Sequence, residues 1–129
     1  MMLKVTDLNG PYKVVYSSLM EKFHPDFCEV FDLDVMIKDG SFSGVDHLGR
    51  IWSGTFIILP EEEPAGALVK LRIDPQGSTV WHYDGEPKRE PIEHEIKTVI
   101  YSLGNGYLAK GTHVVGPVTL EAMIYPLKA

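Results

Sequence analysis

The fold is decided by residues 35–56, which read VMIKDGSFSGVDHLGRIWSGTF. Apolar and polar residues alternate before Asp39-Gly40, a dipeptide that strongly favours a two-residue turn between antiparallel strands. A second turn signal follows at residues 46–49, and alternation resumes after it. The stretch therefore predicts three strands joined by two turns, and it does not reveal a reaction.

The same alternation continues on both sides of this stretch and predicts a protein made of short strands. Turn residues such as Gly, Pro, Asn and Asp separate the alternating segments. Residues 17–23 fit a short helix as well as the end of a strand, and Gly111 is expected to interrupt its strand. The predicted strands cover residues 12–19, 27–38, 42–45, 51–59, 67–73, 79–83, 92–103, 107–115 and 118–125.

Evenly spaced short strands in this number are typical of a β-barrel or a β-sandwich. Most of the links are short enough for hairpins, and closure into a barrel removes exposed sheet edges. We therefore predict one all-β domain over residues 1–129, a small antiparallel β-barrel of about eight strands with at most one short helix. A barrel of this size is either filled by its own side chains or holds one small ligand.

Composition and charge exclude several classes of protein. The chain has 129 residues, 44% of them hydrophobic and 23% charged, with a formal net charge of -6. Nucleic acid is not the expected partner, because its phosphates need clustered Lys and Arg. No apolar run reaches the ~20 residues of a membrane helix, and no signal-peptide core is present. The single cysteine, Cys28, cannot form an intramolecular disulfide, which favours a reducing, cytoplasmic location.

The central stretch also carries a motif of spaced glycines followed by an aromatic residue. The motif is Ile37-Lys38-x-Gly40-x-x-x-Gly44-x-Asp46, then Trp52 and Gly54. It resembles a pattern in small lipocalin-like (calycin) barrels, and among these the GrlR-type negative regulators of type III secretion. Over about the first half of the chain, the resemblance implies a small lipocalin-like barrel that binds and restrains a transcriptional activator. It also implies a functional acidic cluster in the loop after the glycine-containing strand.

The position of that acidic cluster is occupied here by Glu61, Glu62 and Glu63, between Pro60 and Pro64. These carboxylates would dock a basic protein partner, because charge complementarity speeds encounter. The alternative is a solvated acidic loop, since runs of charge are common on protein surfaces.

A second candidate site is a ligand cavity around His94, which shares a predicted strand face with apolar residues. In such a cavity His94 would form a hydrogen bond with the ligand. The alternative is that His94 is a core histidine that is hydrogen-bonded to a neighbouring residue. Glu93 and Glu95 lie on the opposite face, either as paired acids or as solvated charges, one of them paired with Lys97 or with a cross-strand base. Aromatic residues that would line the cavity with His94, or else fill the barrel, are Trp52, Phe56 and Trp81, with Tyr12 and Tyr16.

No motif in the chain identifies a catalytic, metal or cofactor site. The other histidines and the aspartates show no recognised ligand spacing, and Cys28 has no nucleophile motif around it. Gly104-Asn105-Gly106 lacks the helix and the lysine of a phosphate loop. We therefore predict no enzyme, no cofactor and no bound metal.

Three functions remain, and we rank them. The first is a non-enzymatic binding or regulatory barrel that meets a protein partner, with negative regulation of transcription or secretion as the role implied by the resemblance. The second is a carrier that holds a small apolar ligand inside. The third is a small barrel enzyme with His94 and a carboxylate as acid and base. A homodimer is left open, because small barrels often pair through one face.

Overall fold

The computed structural model describes residues 3–19, 29–59, 65–77, 89–115 and 118–127. Within these ranges, a 3-10 turn at Val5–Leu8 precedes eight strands. The strands are β1 (Gly10–Leu19), β2 (Glu29–Ile37), β3 (Ser41–Val45), β4 (Ile51–Leu59), β5 (Gly66–Asp74), β6 (Ile92–Leu103), β7 (Gly106–Val115) and β8 (Val118–Pro126). No helical segment in the described residues has the length and apolar character needed to cross a bilayer.

The strands run antiparallel and follow one another around a nearly closed barrel. Their order in the sheet is β2-β1-β8-β7-β6-β5-β4-β3, and the ring is completed where β1 pairs with β8. Consecutive strands are therefore also neighbours in space, as in an up-and-down meander. The predicted all-β antiparallel barrel is confirmed.

The seam between β2 and β3 is held by a turn and by packing. Lys38 and Ser41 exchange backbone hydrogen bonds of 2.9 and 3.0 Å. Between them, Asp39 and Gly40 have φ values of 51° and 83°, and positive φ at both positions gives a turn whose twist matches a hairpin. Beyond the turn, a Cβ on Gly44 would come within 3.3 Å of a β2 carbonyl oxygen, so β3 lies directly against β2.

The barrel interior is filled with buried apolar side chains. In β2, every second residue from Phe31 to Ile37 is buried and the residues between them are exposed, as the alternation predicts. Trp52 meets Tyr16 edge to face, with ring centroids 5.6 Å apart, and meets Phe31 at 6.0 Å. The buried core also includes Tyr12, Val14, Leu33, Val35, Phe42, Phe56, Val69, Leu71, Ile73, Ile96, Ile100, Leu120, Ala122 and Ile124.

The predicted interruption at Gly111 is wrong. β7 runs continuously over Gly106–Val115 and pairs with β8 on both sides of Gly111. The glycine instead marks a close approach, because a Cβ there would lie 2.2 Å from the Lys97 carbonyl oxygen of β6. A bare Cα thus lets two backbones meet without breaking the strand.

Three details complete the comparison with the predicted elements. The predicted strand at residues 79–83 lies outside the described residues. Residues 17–23 were predicted either as a short helix or as the end of a strand. Residues 17–19 belong to β1, and residues 20–23 lie outside the described residues. The 3-10 turn at Val5–Leu8 is an addition, and its start is held by the Asp7 carboxylate, which accepts the Lys4 backbone N–H at 2.8 Å.

Candidate functional site

A groove of about 580 Å³ crosses the outer face of strands β3 to β6. Its floor is the backbone of a row of inward-facing residues that pair across the four strands. Its walls are two rows of outward-facing side chains, so the recess opens outside the barrel. The floor residues are Phe42, Gly54, Leu71 and His94; one wall is Ser41, Thr55, Lys70 and Glu95, and the other is Ser53, Arg72 and Glu93.

The floor of the groove is thin at Gly54. A Cβ on this residue would lie 2.2 Å from Cζ of Phe42, whose ring fills the space on the inner side. That ring packs against Phe56, with centroids 5.7 Å apart. The glycine therefore lets an aromatic side chain support the groove from within, which is the close approach expected of a glycine inside a strand.

The charges of the groove are sorted by strand. β5 contributes Lys70 and Arg72, β6 contributes Glu93 and Glu95, and β3 and β4 contribute hydroxyl groups. Arg72 Nη1 lies 2.8 Å from Glu93 Oε1, so one strand carboxylate pairs with a cross-strand base. The two side chains are 49% and 70% exposed, and such a pair contributes little to stability. These groups are therefore available to bind a partner at little cost to the fold.

A buried polar network holds the turn between β3 and β4. Asp46 and Arg50 are both buried, and Arg50 Nε donates to Asp46 Oδ2 at 2.7 Å. Trp52 Nε1 donates to the same oxygen at 2.9 Å. The backbone N–H groups of Leu48 and Arg50 donate to Oδ1 at 2.9 and 3.1 Å. The Arg50 guanidinium also lies 3.9 Å from the centroid of the Phe31 ring, a cation–π contact.

These hydrogen bonds decide the charge of Asp46. Burial by itself raises the pKa of the carboxyl, but hydrogen bonds from Trp52, Arg50 and Leu48 bring that pKa below its usual value of 3.8. The carboxylate is therefore charged at neutral pH and balances the guanidinium of Arg50. Because the pair contacts the turn backbone and the core rings, its role is to hold the turn and the indole in place.

His94 faces the interior from β6, and its Nδ1 is hydrogen-bonded to the Tyr16 hydroxyl. The two ring planes are parallel to within 2°. Burial, with a smaller contribution from the charge of His113, lowers the pKa of His94 from 6.5 to about 4. The imidazole is therefore neutral near pH 7, and the hydroxyl can donate to Nδ1 when the ring proton is on Nε2. A general base at neutral pH works best with a pKa near 7, which this arrangement does not provide.

The predicted cavity residues lie in two parts of the barrel. Trp52 is 0% exposed and Phe56 is 6% exposed, so both pack in the core. Trp52 and His94 meet through Tyr16, which contacts both rings, and His94 also borders the groove. Trp81 lies outside the described residues. The assignment of these residues to a ligand cavity stays a prediction.

The predicted partner-binding residues Glu61, Glu62 and Glu63 also lie outside the described residues. The strands that they join are described, and Leu59 pairs with Gly66 where β4 and β5 meet. The docking role of these carboxylates stays a prediction.

Sequence reasoning missed the Asp46–Arg50 pair and the outer groove. The turn itself could be predicted, because an aspartate at the start of a turn accepts a backbone N–H two residues further on. The burial of Arg50 has no sequence signal, since arginine is among the residue types that are rarely buried. The groove depends on the register of four strands, which aligns residues that are distant in the sequence.

Among the described residues, no group of three or more His, Cys, Asp and Glu side chains is placed to hold a metal ion. No protein-family model matches the chain, and comparisons with curated proteins and with solved structures give no match either. The case for a function therefore depends on the geometry of the barrel.

Proposed function

We propose that this protein is a non-enzymatic binding barrel that contacts a protein partner through its outer face. The observation that carries the proposal is the groove on β3 to β6, which is walled by exposed charged and hydroxyl groups while the interior is filled by apolar side chains. Charged and polar groups on such a surface select a partner by complementarity.

The packing of the interior favours contact through the outside. A carrier needs an internal volume in which most of its ligand is buried. Here Trp52 lies against Tyr16 and Phe31 at ring distances of 5.6 and 6.0 Å, the spacing of packed aromatic pairs. Large side chains thus occupy the part of the interior around Trp52, which supports contact through the outer face.

An apolar tip next to the buried network supports the same proposal. Val45 and Ile51 are directly opposite each other on β3 and β4, and Leu48 lies in the turn between them. These side chains are 61%, 41% and 52% exposed. Asp46 and Arg50 hold the turn that presents them, and a preorganised surface loses less entropy on binding. Apolar contacts of this kind form the centre of many protein interfaces.

The resemblance to GrlR-type regulators supplies the class of partner in this proposal. The partner is a transcriptional regulator that the barrel restrains in the cytoplasm, with negative regulation of transcription or secretion as the result. The acidic run Glu61, Glu62 and Glu63 provides a further contact with basic groups of that partner.

A carrier of a small apolar ligand is the second candidate, and one observation favours it. His94 faces the interior but is not fully buried, and it forms a polar contact with Tyr16 among apolar side chains. Binding cavities combine an apolar lining with a few polar groups of this kind.

Photo-crosslinking in the native host tests the proposal. A photoreactive amino acid is placed at Thr55 in the groove, and a matched control carries it at Asp32, an exposed residue of β2. We expect one defined partner adduct from Thr55, its loss in an Arg72→Glu background, and no such adduct from Asp32. The same adducts from both positions would contradict the proposal. An adduct with a second copy of the chain would show a homodimer instead.

A further inference from the structure

The outer surface of strands β6, β7, β8 and β1 differs in its chemistry from the groove. The walls of the groove are hydroxyl and charged groups, whereas the middle of these four strands carries apolar side chains outward. Tyr101 is 48% exposed, and the other members are partly exposed. An apolar patch that continues over several strands indicates a contact surface. We call this patch the apolar face, and it consists of Val15, Val99, Tyr101, Leu108, Met123 and Tyr125.

The strand registers join half of the apolar face into one row across the sheet. Val99 is opposite Lys110, and Lys110 is opposite Met123. Met123 is in turn opposite Val15, and Val15 is opposite Asp32 of β2. Directly opposed residues project from the same side of a sheet. The row therefore has an acid at its β2 end, a base on β7, and two apolar side chains between these charges.

The neighbouring row, on the side of the β6–β7 hairpin, carries the two tyrosines of the apolar face. Tyr101 is opposite Leu108, and Tyr125 is opposite Lys13. Lys13 Nζ lies 3.7 Å from Asp34 Oδ1, where the row reaches β2. Aromatic and aliphatic groups thus occupy the middle of the face and charges its β2 edge, which is the arrangement of a protein interface.

The order of the charges in the first row fits a second copy of the chain. In a symmetric dimer the same surface contributes twice, so the surface has to be complementary to itself. A twofold axis parallel to the strands, between β1 and β8, places Asp32 opposite Lys110 of the second copy. It also places Val15 opposite Met123 of the second copy, and each contact occurs twice. The strands of the two copies remain aligned, as is common for sheets that pack face to face.

Electrostatics favours this arrangement over contact through other surfaces. The formal net charge of -6 makes two copies repel each other in general. Asp32 and Lys110 are exposed, and within the described ranges neither of them forms an ion pair. The twofold axis brings these opposite charges together. It also places Lys13 opposite the Tyr125 ring of the second copy, which is a favourable position for a cation.

We propose that the apolar face is the interface of a symmetric homodimer whose twofold axis lies between β1 and β8. The groove crosses β3 to β6, so this axis leaves it exposed and the dimer presents two grooves. The outer surface of a barrel is convex, which keeps the contact small, and small interfaces are transient. We therefore expect a dimer that dissociates on dilution. The proposal does not rest on the proposed function.

Sedimentation velocity of the whole chain at about 5 to 500 μM tests the interface. The wild type should change from monomer to dimer over this range. Met123→Glu puts a charge at the centre of the apolar face and should raise the dissociation constant at least about tenfold. The matched control is Ile57→Glu, which puts the same charge on a β4 residue that is 44% exposed and lies outside the face. This control should leave the dissociation constant unchanged, and circular dichroism verifies that both variants are folded. A monomer at every concentration, or equal effects of the two variants, would overturn the proposal.

Exchange of the two charges tests the position of the twofold axis. Asp32→Lys and Lys110→Asp should each weaken self-association, because each brings like charges together in the dimer. When the two variants are mixed, they should form a heterodimer, since one carries a base at both positions and the other an acid at both. Native mass spectrometry measures the proportion of heterodimer. No preference for the heterodimer over the two homodimers would refute the proposed axis.

The photo-crosslinking experiment gives a second measurement of the same interface. A photoreactive residue at Asp32 should give an adduct with a second copy of the chain, because Asp32 lies at the edge of the contact. Thr55 lies in the groove and should give no adduct with a second copy. A second-copy adduct from Thr55 and none from Asp32 would place the dimer contact on the groove and overturn the proposal.

Discussion

Replacing Asp46 by asparagine removes the negative charge from the buried network and keeps the shape of the side chain. The amide oxygen can still accept from the backbone N–H groups of Leu48 and Arg50, which now bond to Oδ1 at 2.9 and 3.1 Å. The amide nitrogen would then face two donors, Arg50 Nε and Trp52 Nε1, which now bond to Oδ2 at 2.7 and 2.9 Å. The variant therefore leaves a buried guanidinium without its carboxylate.

The size of the effect follows from the burial of the pair. Removing one partner of a buried ion pair costs about 3–5 kcal/mol, and these side chains are 1% and 0% exposed. A small domain has a free energy of unfolding of about 5–15 kcal/mol, so Asp46→Asn should lose a large share of it. The matched control is Asp34→Asn. Its carboxylate is 64% exposed and lies 3.7 Å from Lys13 Nζ, so its loss should cost less than about 1 kcal/mol.

Urea denaturation at pH 7, followed by circular dichroism, measures both variants. Because the pKa of Asp46 in the folded protein lies below its usual 3.8, the carboxylate stabilises the barrel fully above that pH, and the contribution declines as the pH falls through the folded pKa. The stability difference between wild type and Asp46→Asn should therefore narrow in acid. A loss at Asp46 no larger than the loss at Asp34, or a difference that does not change in acid, would refute the reasoning.

Three further predictions concern the core and the interior. Gly54→Ala should destabilise the protein by about 1–3 kcal/mol, because the new Cβ would lie 2.2 Å from Phe42. The control is Gly104→Ala, whose new Cβ would have nothing within 4 Å, so its urea denaturation midpoint should be nearly unchanged. Equal destabilisation by the two substitutions would contradict the packing of Gly54 against Phe42. Burial lowers the pKa of His94 from 6.5 to about 4. Between pH 6.5 and pH 4 the imidazole is therefore protonated in the unfolded chain and neutral in the folded protein, so the free energy of unfolding should fall as the pH drops through this range. The midpoint of thermal unfolding, plotted against pH, should change less steeply in His94→Gln than in wild type, and His113→Gln should keep most of the wild-type slope. An unchanged slope in His94→Gln would mean that other groups cause the pH dependence. Native mass spectrometry of protein purified from its host should give the mass of the bare chain, alone or as a dimer, whereas a bound small molecule would favour the carrier.

Most of the fold could be predicted because the period of the hydrophobic pattern is local. The alternation in β2 assigns Phe31 to Ile37 to the core by inspection, and the structure agrees. Asp39-Gly40 specifies its hairpin turn through the backbone conformations that both residues adopt. The interruption expected at Gly111 was wrong because a glycine in a strand has two readings, a break or a close approach, and neighbouring residues do not choose between them.

The candidate site was less predictable because it depends on residues that are distant in the chain. The inward position of His94 followed from alternation, but its bond to Tyr16 joins β6 to β1 across the barrel. The walls of the groove come from four strands, and their alignment follows from three separate registers. A register shift of one residue would turn every side chain of a strand to the other face, so no local pattern contains this information.

The sequence by itself determined that this chain is built of short antiparallel strands, because alternating polarity and turn residues act over a few positions. It also determined which side chains face inward, since the period of a strand is fixed by its geometry. Only the tertiary structure decided that Asp46 and Arg50 are buried together, that the groove lies outside the barrel, and that β6 and β7 approach closely at Gly111. These features arise from strand register and from the closure of the ring, which place distant residues in contact and cannot be deduced from any single segment.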